Sequence, residues 1–127
     1  EITYGLERIC MFTQQKKNVY ELDWNEDGIK YNEVFHQSEK EFSKYNFEYA
    51  NTNNLFQIFN IHETEAISLA NNKISLPAYD QCLKASHVFN VLDARGAISV
   101  AERAEYISRI RNIVKLSAEV WLETQKN

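Results

Sequence analysis

The residues with the best claim to chemistry stand at the start of the chain. Thr3 and Tyr4 lead into Gly5, and Glu7 and Arg8 follow at once. The β-branched and aromatic opening from Glu1 to Gly5 reads as a short strand delivering the chain into a turn. Gly at that point lets a ligand approach the backbone. The helix that should follow offers unpaired N–H groups and the positive end of its dipole, an environment suited to phosphate. An Arg in its first turn can lay a planar guanidinium on a purine or fork onto a phosphate. The signal is short, since any exposed strand–turn–helix can carry an Arg.

Other constellations are weaker. Glu33 and His36 form an E-x-x-H, which puts a carboxylate and an imidazole on one helix face. Di-iron bundles need two such pairs and two further carboxylates. Phe59 stands three residues before His62 and Lys84 three before His87, so the second pair is missing. A hydrogen-bonded, partly buried imidazole is the better reading of each His, and no metal site is expected. Cys10 and Cys82 lie alone on apolar faces and read as core rather than nucleophiles. Arg103, Arg109, Arg111 and Lys115 could touch phosphate. Glu102, Glu105 and Glu119 are interspersed with them, which favours a solvated face with i,i+4 pairs. The segment from Asp93 to Ile98 reads as a helix–helix turn in which Arg95 satisfies helix-terminal carbonyls. The sequence carries no Gly-rich phosphate loop, no G-x-S-x-G elbow and no H-E-x-x-H.

These residues need elements to hold them. Leu6, Ile9, Cys10 and Thr13 recur at i, i+3, i+4 and i+7, an amphipathic helix that fades in the polar stretch from Gln14 to Asn18. Val19, Tyr20, Leu22 and Trp24 make a short apolar patch, extended in part, and the turn Asn25-Glu26-Asp27-Gly28 closes it. That turn is the expected domain boundary, giving domains of residues 1–27 and 28–127. Beyond it everything reads as helix. Val34, Phe35, Ser38, Phe42 and Tyr45 mark the inner face of the first. Asn51 to Asn54 cap a second, with Leu55, Phe56, Phe59, Ala66 and Leu69 inward, ending near Asn71 and Asn72. Pro77 is expected at the first position of a third, whose stripe is Tyr79, Cys82, Leu83, Ser86, Phe89 and Asn90. Ser99 and Glu102 match a capping box opening a last helix to about Gln125, with Ile107, Ile110, Val114, Ala118 and Trp121 inward.

Composition agrees. Three Gly and one Pro stand in 127 residues, where average usage would give about fifteen; a breaker-rich all-β sandwich is excluded. Hydrophobics at 44% and aromatics at 13% exclude intrinsic disorder. A net charge of −4 argues against gripping nucleic acid by charge alone. Two Cys form no disulfide framework and fit a reducing compartment. No apolar run approaches the roughly 20 residues of a membrane span. The first residue is Glu1, and the chain reads as a piece cut from something longer.

Gly5-Leu6-Glu7-Arg8-Ile9 resembles motif 3 of the class II aminoacyl-tRNA synthetases. The longer string from Glu1 to Ile9 is similar to the α chain of the bacterial heterotetrameric glycyl-tRNA synthetases. So are Tyr31 to Gln37 continuing through Tyr45 to Ala50, and Leu76 to Tyr79 continuing through Leu92 to Val100, Glu102 and Arg103. Class II strands often have small residues where Glu1 and Thr3 stand, although Glu and Thr suit the glycyl α chain. The family commonly has Gly where this chain has Gln15, so the end of the first helix is a point of departure.

The resemblance implies a mostly α fold, a helical bundle preceded by one short strand and helix at the edge of a class II catalytic core. It implies a C-terminal part of that α chain, inactive alone, in an enzyme that activates glycine with ATP and transfers it to tRNA(Gly). Arg8 would be the catalytic ATP clamp, with Gly5 and Glu7 completing the ATP site. Glu1 and Thr3 would meet the amino acid's ammonium or a Mg2+-linked phosphate. ATP, accompanied by Mg2+, would be a substrate; the β chain and a second α chain would be partners; and the compartment would be the cytoplasm. The alternative is a non-catalytic helical module for subunit interaction.

Overall fold

The computed structural model describes residues 3–126. They are mostly helical and fall into two compact units, Glu1–Tyr45 and Asn46–Asn127. The turn from Asn25 to Gly28 therefore lies inside the first unit, and the packing break comes later, at Tyr45.

In the first unit, α1 spans Leu6–Thr13 behind Gly5, whose backbone is extended at φ −81° and ψ 103°. Among the described residues no strand precedes it; Glu1 and Ile2 lie outside them. A ladder needs a partner strand, and none of the described segments offers one to Thr3 and Tyr4. The helix ends as the periodicity requires. Gln15 turns left-handed at φ 53°, and the N–H groups of Gln15 and Lys16 donate to the carbonyls of Phe12 and Met11 at 3.2 and 2.9 Å. This is a Schellman close with Gln where Gly would be strain-free. The Gln14 amide then holds the next segment at two points: Asp23 N–H donates to Oε1 at 2.8 Å and Nε2 donates to the Asp23 carbonyl at 3.1 Å. Val19–Glu21 is one 3₁₀ turn, capped by the Asn18 side chain. The extended piece near it reduces to an isolated antiparallel bridge between Asp23 and Lys30, reinforced by their ion pair. Gly28, at φ 88°, makes the reversal between them.

The next helix begins as a π-helical segment, Asn32–His36, continues as α2, Gln37–Lys44, and passes into a second π segment, Tyr45–Tyr49. This corrects the expected inner face. Bonding from i to i+5 widens the turn, so side chains spaced for 3.6 residues no longer share one stripe. Val34, Phe42 and Tyr45 are exposed, and Leu22 is the one buried side chain among the described residues up to Tyr45.

The second unit contains three long helices, α3 Thr52–Asn71, α4 Ser75–Ala94 and α5 Val100–Thr124, each packed on the other two. Asn51 caps α3 by accepting from Asn54 N–H at 3.2 Å. Ser99 and Glu102 form the capping box: Oγ accepts from Glu102 N–H at 3.3 Å and the carboxylate accepts from Ser99 N–H at 2.9 Å. Schellman bonds close α3 at Lys73 and α4 at Gly96, with φ 62° and 64°. Pro77 is third in α4 rather than first. It still sits in the opening turn, where its missing N–H costs no helical bond. The core comprises Leu55, Phe59 and Ala66 of α3, Cys82, Ala85, Val88, Phe89 and Leu92 of α4, and Ile113 of α5.

Two stripes differ from expectation. On α4 the buried positions include Ala78 and Ala85, while Tyr79 and Leu83 are about half exposed. Small residues let the neighbouring helices come close, and the large ones flank the contact. On α5 the fully buried set is Ile113, Ser117 and Val120, one position away from Val114, Ala118 and Trp121. Ser117 can be buried because its hydroxyl donates to the Ile113 carbonyl at 2.9 Å.

Candidate functional site

In the first unit, Gly5, Glu7 and Arg8 border an open depression of about 660 Å3, completed by Met11, Val19, Tyr31 and Glu39. The extended backbone at Gly5 brings the chain in. The first turn of α1 presents Glu7 and Arg8, and the start of the following helical run supplies Tyr31, with Glu39 two turns on. A Cβ added at Gly5 would meet the Arg8 Cβ at 3.9 Å, an ordinary contact. Gly5 therefore serves here by leaving the floor low rather than by an unusual backbone angle.

One phenol, Tyr31, and two carboxylates, Glu7 and Glu39, border the depression, and a second phenol, Tyr20, holds Glu39 from outside its lining. Tyr20 Oη donates to Glu39 Oε2 at 2.5 Å. That bond, followed by burial and the Glu39 charge, pushes the Tyr20 hydroxyl above its ordinary range. Tyr31 is raised as well, first by burial, then by the charges of Glu7 and Glu39. Both rings are fixed from behind. Tyr20 lies 4.5 Å from the His36 ring and 6.4 Å from Tyr31. Tyr31 packs on Phe35 at 4.8 Å and Trp24 at 6.4 Å, and its N–H donates to the Leu22 carbonyl at 2.9 Å. Against this, Arg8 makes no ion pair or hydrogen bond among the described residues.

Of the residues singled out from sequence, the fold thus gathers Gly5, Glu7 and Arg8. Thr3 is exposed and is not among the residues bordering the depression, and Glu1 lies outside the described residues. Tyr20, Tyr31 and Glu39 were not legible as site residues. The signal for Tyr31 was its place in a block shared with the glycyl α chains; for the other two there was none.

The remaining constellations resolve into structure. Glu33 accepts from Lys30 N–H at 2.9 Å, and His36 packs on Tyr20 with the rings tilted by 44°. Among the described residues no group of three or more His, Cys, Asp or Glu gathers where a metal could be held. His62 Nδ1 shares a hydrogen bond with Gln81 Oε1 at 2.8 Å. Cys82 is buried, with its thiol pushed up by desolvation. Arg109 is no solvated surface cation. It forks onto Glu63 at 2.9 and 2.5 Å, donates to Asn60 at 2.7 Å, and lies over the Phe59 and Tyr106 rings at 4.6 and 4.9 Å. Arg103 chelates Asp93 at 3.0 and 3.2 Å, whereas Lys115 and Glu119 do form an i,i+4 pair. Arg95 does not serve the α4 carbonyls. Backbone N–H groups of Gly96 and Ala97 take that role, and its Nη1 is buried without a hydrogen-bond partner among the described residues.

The second unit has an apolar groove of about 250 Å3 between α4 and α5, lined by Ser75, Leu76, Tyr79, Val114, Ser117, Ala118 and Trp121. Among the described residues no helix is long and apolar enough to cross a membrane. The family model of the glycyl-tRNA synthetase alpha subunit matches residues 1–126, both units and the turn between Asp23 and Lys30 included. The chain therefore belongs to the glycyl-tRNA synthetase alpha subunit family, a ligase family that charges tRNA with glycine.

Proposed function

We propose that the first unit supplies the edge of a class II catalytic core, with Arg8 as the ATP clamp of glycine activation. The observation that carries this reading is an Arg in the first turn of α1, beside Gly5, bordering a depression and bound to no carboxylate among the described residues. A structural Arg in such company would be expected to fork onto Glu7 or Glu39.

In the reaction, a glycine carboxylate oxygen attacks the α-phosphate of ATP. The bond to the β-phosphate breaks, and pyrophosphate leaves with its electron pair. A ribose hydroxyl at the tRNA 3′ end then attacks the glycyl carbonyl, its proton is lost, and AMP departs. Both steps depend on positioning and on charge neutralisation rather than on a covalent protein nucleophile. Arg8 suits the first step: its plane stacks on adenine and its fork holds phosphate charge as negative charge gathers on the departing pyrophosphate. Glu7 and Gly5 border the same space. Thr3 and Glu1 are proposed to face the glycine ammonium or the Mg2+ carried by ATP. The β chain and a second α chain are the proposed partners, and the cytoplasm the compartment. Selecting glycine requires a pocket too small for a methyl group, because attraction gains little from an absent side chain.

The test is made in the α chain assembled with its β chain. Arg8→Lys keeps the charge and loses the plane and the fork. It should slow glycine-dependent pyrophosphate exchange by roughly a hundred- to a thousandfold, the range for losing one donor to developing charge, and Arg8→Ala should cost at least as much. If thermal unfolding falls while exchange per folded molecule holds, Arg8 is scaffold.

A second reading concerns the second unit alone, as a non-catalytic module for subunit interaction. The observation in its favour is the groove flanked by Leu76, Tyr79 and Trp121, which are exposed by 64%, 46% and 43%. Trp121→Ala should weaken α–β assembly in analytical ultracentrifugation without altering helix content.

A further inference from the structure

We propose that His36, Lys40, Ser43 and Lys44 form a docking site for the phosphate backbone of the tRNA that the family charges. The inference rests on the family membership and is independent of the ATP-clamp reading of Arg8.

Position comes first. His36 closes the π-helical segment, and Lys40, Ser43 and Lys44 follow on α2. Their spacing of i, i+4, i+7 and i+8 sets them on one helical face. These residues, with Tyr20 and Glu39, line an open depression of about 630 Å3. Tyr20 and His36 are half-buried in it, with ring centroids 4.5 Å apart. Lys40, Ser43 and Lys44 are exposed beside them.

Charge decides what such a depression takes. Acids one turn away on a helix ordinarily pair with lysines, and this run has Glu33, Glu39 and Glu41. Each is engaged otherwise. Glu33 accepts from the Lys30 N–H at 2.9 Å, Glu39 from Tyr20 Oη at 2.5 Å, and Glu41 from Gln37 Nε2 at 2.6 Å. Lys40 and Lys44 make no ion pair or hydrogen bond among the described residues. The lining thus sets two unpaired ammonium groups against one carboxylate, and His36 and Ser43 add hydrogen-bonding groups.

Shape selects among anions. Residues four apart on a helix are separated by about 6 Å along its axis, so positions 36, 40 and 44 span about 12 Å. A row of that length meets successive charges of a nucleic-acid strand. The lining contains no Gly, and so no Gly-rich turn to cradle the phosphates of a single nucleotide. The chain's net charge of −4 opposes a polyanion elsewhere on its surface and favours contact where the charge is locally reversed.

The experiment uses the assembled enzyme carrying Lys40→Gln with Lys44→Gln, and separately Lys40→Arg with Lys44→Arg. Binding of labelled tRNA(Gly) is followed by fluorescence anisotropy across a salt series, with glycine-dependent pyrophosphate exchange and thermal unfolding in parallel. The Gln pair should raise Kd at low salt about two- to twentyfold, the scale of two exposed charge contacts. It should also flatten the dependence of log K on log salt by about one per lysine. Exchange needs no tRNA, and its rate and KM for ATP should stay within about twofold of the parent's. The Arg pair, which keeps both charges, should retain the parent's salt slope. An unchanged Kd and slope in the Gln pair overturns the inference. So does an equal loss in the Arg pair, or a loss accompanied by a lower unfolding temperature and slower exchange, since either marks the lysines as scaffold. A raised KM for ATP with tRNA binding intact assigns the depression to nucleotide phosphates and overturns it too. Arg8→Lys is expected to give the converse pattern, slow exchange with an unaltered salt slope, so the two readings fail separately.

Discussion

The first unit has one buried side chain among its described residues, Leu22, whereas the second has a continuous core running through three helices. In the second unit Ser117 bonds back along its own helix and Arg109 is forked and stacked, while Arg95 Nη1 lies buried without a hydrogen-bond partner among the described residues. In the first, α1 buries nothing, and Leu6, Ile9 and Phe12 face outward. An eight-residue helix without a buried face is marginal by propensity alone. It is held instead by its Schellman close, the Gln14 clamp on Asp23 and the aromatic cluster around Tyr31. The two arginines carry the same lesson. Arg109 has every partner it needs and is spent on structure; Arg8 has none among the described residues and is free to act. Packing that satisfies every donor leaves little for a ligand, and the incompletely packed unit is where a binding group can stay available.

The comparison breaks most readily at Phe59. It is fully buried and touches Tyr106 and Arg109, so Phe59→Ala should cost about 3–5 kcal/mol by leaving a cavity in the second unit. Chemical denaturation of the chain reads this directly. A loss below about 1 kcal/mol would mean that this core is not packed as described.

A smaller effect belongs to the α5 capping box. Ser99→Ala should cost about 1 kcal/mol. It also carries a pH signature. The hydrogen bonds from Ser99 hold the Glu102 carboxyl below its ordinary value of 4.5. A folded-state pKa lowered in this way contributes stability that is fully present above the ordinary value and is lost as pH falls through the lowered one. The thermal midpoint of the parent chain should therefore drop more steeply with acidification across that window than the midpoint of Ser99→Ala. Parallel curves would show that the Ser99 hydroxyl does not hold the Glu102 carboxyl in solution, since the Ser99 backbone N–H that also donates to it is kept in Ser99→Ala.

The smallest effect sharpens the comparison from the other side. Phe12, on α1, is 85% exposed, and Phe12→Ser should alter stability by no more than about 0.5 kcal/mol. A loss above about 1 kcal/mol would show that α1 is packed in solution and that the contrast between the units is overstated.

Much of the local architecture is written in short stretches of sequence. Asn51 before an apolar run, Ser99 with Glu102, and Gly28 at the end of a polar turn each specify a cap or a reversal through groups at most a few residues apart. So do the bounds of α1: the helix starts and stops where the 3.6-residue pattern begins and fades, whereas the strand expected before it is not found among the described residues. Gly5, Glu7 and Arg8 were legible for the same reason, being contiguous.

What lay beyond the sequence is whatever depends on residues that meet across the fold. Tyr20, Tyr31 and Glu39 are separated by eight residues or more, and only the bridge at Asp23 and the turn at Gly28 bring them together. The π-helical segments around α2 are a second case, since a change of turn width follows from surroundings that a 3.6-residue pattern does not encode. The face of α4 is a third. Periodicity marked Tyr79 and Leu83 as inward, and the close packing of the neighbouring helices buried the small Ala78 and Ala85 instead. Local hydrogen bonds and propensities act between neighbours along the chain and can be read there. Arg8 and Arg109 are the same residue type, each on a helix, and the tertiary structure alone gave Arg109 a carboxylate and left Arg8 without one among the described residues.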